Sequence, residues 1–400
     1  MKKSRISAQT KVLLAALCLV IVFVIQFVFI GFGGPRDMRI QETEVGVSYS
    51  FDASPSFYAN NSRFFYFLTR NGIRLISSVT GNERWHQTFN LTRPTMQARG
   101  DFVAVGEEDR GREIFVFNAD GPLFQRAFDT PVLTFSINET GFLSVIRQLD
   151  NGGHAVEVFT RNNITLPLYV LTLPPSLSLP VAVDVSPDGR YIVIAYLDMA
   201  VTMMLRIEFR FINREDARDT DNYGLFAQET FANQFPLDLR FMQSHQVLLT
   251  TDAQIVGLQR GTGWAVEQMW SIPLNNHLDQ LAFYGNSRFA FVAGDAFVGD
   301  RDALPMGDLR IFNMNGEPTG AYSLGRRATF LDMGHNALIV GTDRVYRAID
   351  FRGNLLWEHI AMQDTRAVIF LENTDTFLQA GATRADVWRR QRVRNEDIFS

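Results

Sequence analysis

Six aspartates in two polar loops have the composition to do chemistry: Asp216, Asp219 and Asp221 in one, Asp295, Asp300 and Asp302 in the other. Clustered carboxylates supply the oxygen ligands that Ca²⁺ takes. Neither set follows the spacing of an EF-hand loop, and both read as solvated loop charge. The six histidines (His86, His154, His245, His277, His335, His359) are scattered, with no pair spaced as metal ligands on one helix turn. The lone cysteine, Cys18, permits no internal disulfide and cannot complete a zinc site. No Gly-x-Ser-x-Gly elbow, P-loop or Gly-x-Gly-x-x-Gly occurs. Paired carboxylates for glycoside hydrolysis would meet only in the fold, so the sequence leaves them open. No catalytic, cofactor-binding or metal residue is assigned, and no cofactor is expected.

Two further residue sets have a bland and a sharp reading. Trp85, Trp264, Trp270, Trp357 and Trp388 could stack on a ligand, but their places suit packing between repeats. Arg389, Arg390, Arg392 and Arg394 could meet a membrane surface or a polyanion, but read as a solvated basic tail. From Arg36 onward 34 arginines face 43 acids, a net charge of −9. That balance argues against nucleic acid as a partner, since phosphate binding needs surplus positive charge. The Asn-x-Ser/Thr sequons at Asn60, Asn90, Asn138 and Asn163 matter only in a eukaryotic secretory setting.

The elements that must position these residues are short strands. Arg327 to Ala361 holds four apolar runs (Ala328–Met333, Ala337–Gly341, Val345–Ile349, Leu355–Ile360) separated by turn residues. Each run has strand length and none has helix length. One such meander cannot bury its apolar faces alone, so it must stack on copies of itself. Eight second strands recur, starting at residues 63, 101, 141, 190, 245, 288, 336 and 375. Blades of a β-propeller repeat at about 40–50 residues. The expectation is all-β, an eight-bladed β-propeller over 44–390, with seven blades as the alternative. The Gly-x-x-x-Trp turns, Gly81 to Trp85 and Gly353 to Trp357, join third to fourth strands. Asp188-Gly189 marks a turn from first to second strand. The eighth unit lacks a fourth strand, and the orphan run Val45–Phe51 is expected to supply it and close the ring. Three stretches carry excess length: Leu166–Leu179, Asn213–Asn222 and Gly294–Gly307.

Before the repeats lies the apolar run Val12–Phe32, broken only by Gln26. Its 21 residues would span about 31 Å as a helix, one bilayer core. It is longer than the apolar core of a cleaved signal peptide. All three lysines precede or open it. The positive-inside rule then predicts a cytoplasmic tail (1–11), a transmembrane helix (12–32), a stalk (33–43) and an extracytoplasmic body, with a charged tail at 391–400.

Several segments resemble a domain-of-unknown-function family of single-pass, membrane-anchored propellers from Gram-positive, clostridial-type bacteria. They are Gly72–Leu75, Val116–Gly121, Phe135–Gly141, Val185–Gly189 onward to Asp198, Leu281–Asn286 and Val368–Glu372. The resemblance spans the chain and implies fold and topology, but no activity. The blades are also similar to WD-repeat propellers, and the Gly-x-x-x-Trp turn to quinoprotein-like ones, with no cofactor pattern beside it. The expected function is a non-enzymatic, membrane-anchored binding module for a protein or an envelope component. The alternative is a propeller enzyme, a hydrolase or quinone-dependent dehydrogenase, with its site in the central channel.

Overall fold

The structure, a computed structural model, describes residues 40–392 apart from 52–54, 60–62, 162–165, 200–202, 214–223, 262–264, 275–276, 295–306, 343, 362–363 and 372–374. The chain divides into two compact units, one made of Met1–Thr43 with Arg389–Ser400 and the other of Glu44–Trp388. The blades and their channel lie in the second. Among the described residues no helix is long and apolar enough to cross a membrane. The expected anchor, Val12–Phe32, lies outside the described residues, as do Cys18 and Gln26.

The described strands form eight four-stranded sheets, the blades of a β-propeller. Their first strands, in chain order from blade 1 to blade 8, are Ser56–Tyr58, Pro94–Arg99, Val132–Ile137, Ser178–Val185, Pro236–Gln243, His277–Tyr284, Phe330–Met333 and Ala367–Phe370. Second strands are apolar on both faces, as in Phe102–Glu107 and Tyr191–Asp198, because each blade is covered by a neighbour on each side. Fourth strands alternate or turn polar, as in Glu83–Thr88, since they form the rim.

The eight apolar clusters each join two adjacent blades. Tyr66, Leu75, Val103 and Phe117 fill the gap between blades 1 and 2. Tyr191, Phe209, Leu239 and Leu249 fill that between blades 4 and 5. Phe65, Phe67, Leu378 and Val387 join blade 8 back to blade 1, so the ring closes. The latch is as expected. The strand Ile40–Ser50 lies outermost in the sheet of blade 8, beside Arg384–Arg392. Phe51 N donates to Thr383 O at 3.0 Å, and Ser48 Oγ donates to Asp386 Oδ1 at 2.5 Å, which sets an antiparallel register. That pairing covers an edge that would otherwise be open.

Two sequence boundaries need correction. The latch strand starts at Ile40, inside the expected stalk. The last strand runs to Arg392, and Arg390 is buried, so Arg389 and Arg390 belong to a strand rather than to a solvated tail. Arg394 lies outside the described residues.

The tryptophans lock neighbouring blades together. Trp85, on the rim of blade 1, stacks on Phe117 of blade 2 with centroids 5.5 Å apart, and its indole N–H donates to Ala119 O at 3.2 Å. Trp270 of blade 5 repeats this on blade 6, stacking on Phe289 and donating to Met314 O at 3.2 Å. Trp357 of blade 7 packs on Phe377 of blade 8. In each of the first two pairs the acceptor lies in the third-to-fourth turn of the next blade. That turn is held by an Asx side chain: Asn313 Oδ1 accepts from the N–H groups of Asn315 and Glu317. Gly316 sits there at φ +76°, and a Cβ on it would stand 2.5 Å from the Trp270 ring. Trp264 lies outside the described residues, and Trp388 packs in the cluster between blades 7 and 8.

Removing the Trp270 ring leaves a cavity and an orphaned carbonyl. Trp270→Ala is expected to cost ~3–5 kcal/mol, read as a lowered denaturation midpoint of the full chain. Gly316→Ala should destabilise through the same contact. Unchanged midpoints in both would show that the Trp-to-turn lock does not hold the blades.

Candidate functional site

A cleft opens at the channel end that carries the turns between first and second strands. Its volume is about 170 Å³, and six blades contribute to its wall. First strands of these blades, or the turns that follow them, deliver the lining residues. Tyr58 comes from blade 1, Arg99 from blade 2, Glu139 from blade 3, Arg240 from blade 5, Tyr284 and Asn286 from blade 6, and Asp332 from blade 7.

Beneath this mouth lies an ion-paired layer centred on Asp184 of blade 4, which is buried. Arg99 Nη1 donates to Asp184 Oδ2 at 2.6 Å, from two blades away. The Phe241 N–H of blade 5 donates to the same oxygen at 2.6 Å, and Ser136 Oγ of blade 3 donates to Oδ1 at 3.1 Å. One carboxylate therefore ties blades 2, 3 and 5 to blade 4. Burial works against the Arg99 charge, but Asp184, Asp238 and Glu139 more than offset it and raise its pKa. Arg240 Nε donates to Asp238 Oδ2 at 2.8 Å, and its guanidinium lies 3.5 Å from the Phe283 ring centroid. Burial, together with the charge of Arg99, lowers its pKa despite Asp238.

Across the mouth Asn286 Nδ2 of blade 6 donates to Glu139 Oε2 of blade 3 at 2.6 Å. This bond bridges far sides of the ring. Asp332 repeats the Asp184 pattern three interfaces later: its Oδ2 accepts from the Phe370 N–H of blade 8 at 2.8 Å. Burial nevertheless pushes its pKa up to about 6, against the two backbone N–H groups that favour the charge.

The histidines stay apart. His86 pairs with Glu83 at 2.6 Å, His335 meets the Tyr284 hydroxyl at 2.8 Å, His359 packs on Tyr346, and buried His154 has its pKa lowered by desolvation. Among the described residues no group of three or more His, Cys, Asp or Glu side chains could hold a metal. Both aspartate loops, at 214–223 and 295–306, lie outside the described residues. Asn138 is not an accessible sequon. It is buried, its Nδ2 donates to Val185 O and Ser186 O of the next blade, and its Oδ1 caps the turn at Thr140 and Phe142. Asp188 and Gly189 form the expected turn, with Arg190 N donating to Asp188 Oδ1 and Gly189 at φ +69°. At the other end of the channel, Leu177, Leu179, Met199, Phe235 and Leu237 of blades 4 and 5 are exposed.

A model described as a family of unknown function, DUF5711, matches residues 39–387. The chain belongs to DUF5711. No curated protein matches it in sequence. Among solved structures, this DUF5711 chain is similar to Sqt1 of Saccharomyces cerevisiae, with a TM-score of 0.54 and 9% identity over 85% of this chain and 97% of that one. It is also similar to the dihydro-heme d1 dehydrogenase NirN, with a TM-score of 0.53 and 11% identity over 87% and 79%. Against BamB from Moraxella catarrhalis the TM-score is 0.48, with 14% identity over 87% and 100%. At these identities the likeness concerns the propeller fold alone.

Two substitutions probe this layer. Asp184→Ala strands the Arg99 guanidinium and the Phe241 N–H, and is expected to cost ~3–5 kcal/mol in denaturation. A loss below about 1 kcal/mol would demote it to an ordinary surface pair. Asp332 acts through pH. Its folded pKa lies above its ordinary 3.8, so its contribution to stability is full below pH 4 and is lost as pH rises through about 6. Relative to wild type, Asp332→Asn should gain stability across that window and hold a constant difference above it. Parallel stability–pH curves for the two proteins would contradict the assignment.

Proposed function

We propose that this protein is a membrane-anchored, extracytoplasmic binding module of a Gram-positive envelope, non-enzymatic, with its ligand site at the channel mouth. The observation that supports this most is the state of the carboxylates there. Asp184 and Asp332 hold the same kind of place in their blades, and each accepts the N–H of the next blade's first strand. Both act as clasps. Beside them stand donors and acceptors able to bind, and no described nucleophile paired with a base. The anchor and orientation rest on the apolar run Val12–Phe32 and the basic flank before it.

A second reading has one observation in its favour. Asp332 is a carboxyl whose pKa burial raises to about 6, and it lines the same cleft as Glu139, the kind of shift a hydrolase acid shows. Incubation of the full chain with purified envelope material separates the two. Saturable co-sedimentation without release of soluble fragments is expected. Turnover that Asp332→Asn abolishes would replace the binding module with an enzyme.

A further inference from the structure

The channel mouth carries hydrogen-bonding capacity that the protein does not use. Among the described residues, Arg99 is engaged only through Nη1, and Arg240 only through Nε. The remaining guanidinium N–H groups, with five donors on each side chain, have no acceptor among the described residues. Both residues line the cavity. Acceptors stand beside them. Glu139 Oε2 is spent on Asn286, and Asp332 Oδ2 on the Phe370 N–H. A carboxylate takes about four hydrogen bonds, so each keeps capacity, as does Asn286 Oδ1.

Two arginines would suggest an anion. The charge count decides against it. Asp184, Asp238 and Glu139 all act on Arg99, and Asp184 and Asp238 act on Arg240 as well. Three carboxylates surround two guanidiniums before Asp332 is added. An incoming anion meets a net negative ion-paired layer beneath the cleft and the Glu139 and Asp332 carboxylates in its wall, and a cation meets two guanidinium faces. A neutral group whose every polar atom both donates and accepts meets neither penalty. Hydroxyls have that property. The rings of Tyr58 and Tyr284 add apolar faces against which C–H surface can lie. The cavity, about 170 Å³, has room for one ring of a sugar and not for a folded peptide.

We infer that the channel mouth is a saccharide subsite, holding one neutral sugar ring of an envelope glycan between Arg99, Arg240, Glu139, Asn286 and Asp332. This rests on the binding-module reading and gives it a ligand class. Hydroxyls of the ring accept from the guanidiniums and donate to the carboxylates, and one ring face lies on the aromatic wall.

Saturation-transfer NMR on the full chain in detergent, with glucose and N-acetylglucosamine as probes, tests it. Saturable transfer to at least one sugar is expected, unaffected by inorganic phosphate or acetate. Arg240→Lys keeps the charge and loses the planar fork; Asn286→Ala removes the bridge to Glu139. Each should weaken binding about tenfold, the equivalent of ~1.4 kcal/mol, with thermal melts showing that the ring still folds. Competition by phosphate would overturn the inference in favour of an anion site. Envelope co-sedimentation that free sugars cannot compete, and that Arg240→Lys leaves intact, would overturn the sugar and keep the binding module. Absence of both sugar and envelope binding would overturn both.

Discussion

No blade of this propeller owns a core. Every apolar cluster lies between two blades, so each sheet is stable only while both neighbours are in place. The closing interface between blades 8 and 1, built on Phe65, Phe67, Leu378 and Val387, is therefore a condition for the rest. The latch strand and the tryptophan locks serve that condition. The strand supplies the rim that blade 8 lacks in its own sequence, and each indole ties a rim strand to the next blade's turn. A repeat array with free ends would expose two apolar sheet faces to water.

Closure also explains the polar layer. Eight first strands converge on one axis, where side chains from opposite sides meet with little room. Hydrocarbon alone would leave the backbone N–H groups of these strands unpaired wherever the blades splay apart. A carboxylate of one blade reaching the next blade's N–H solves this locally, as Asp184 does for Phe241 and Asp332 for Phe370. The cost is a buried charge. Arg99 offsets it at Asp184; at Asp332 it shows as a pKa raised by burial. The site is what remains of this arrangement at the open end, where polar groups outnumber their protein partners.

The sequence made the blades legible because strand length, turn residues and the repeat of second strands are local signals. Trp85 and Trp357 could be placed between blades for the same reason, through the turns before them. The channel was not legible. Arg99, Asp184, Arg240 and Asp332 come from four different blades at no fixed separation, and only the closed ring brings them together. One signal was present: Arg99, Asp184 and Asp332 are each a lone charge in or at the end of a first strand, as in the Val-Ala-Val-Asp-Val run that ends at Val185. Such a charge must find a partner or a solvent path, and here it finds the axis. Asn138 and Arg390 misled for the opposite reason. A sequon and a basic cluster suggest surface, whereas both side chains are buried.

A crystal structure of the full chain grown with N-acetylglucosamine tests the central claim most directly. Density for one sugar ring at the channel mouth, within hydrogen-bonding distance of Arg240 and Asp332, is the expected result. An empty mouth at a saturating concentration, or a ring bound only on the outer rim of the blades, would contradict a ligand site on the propeller axis.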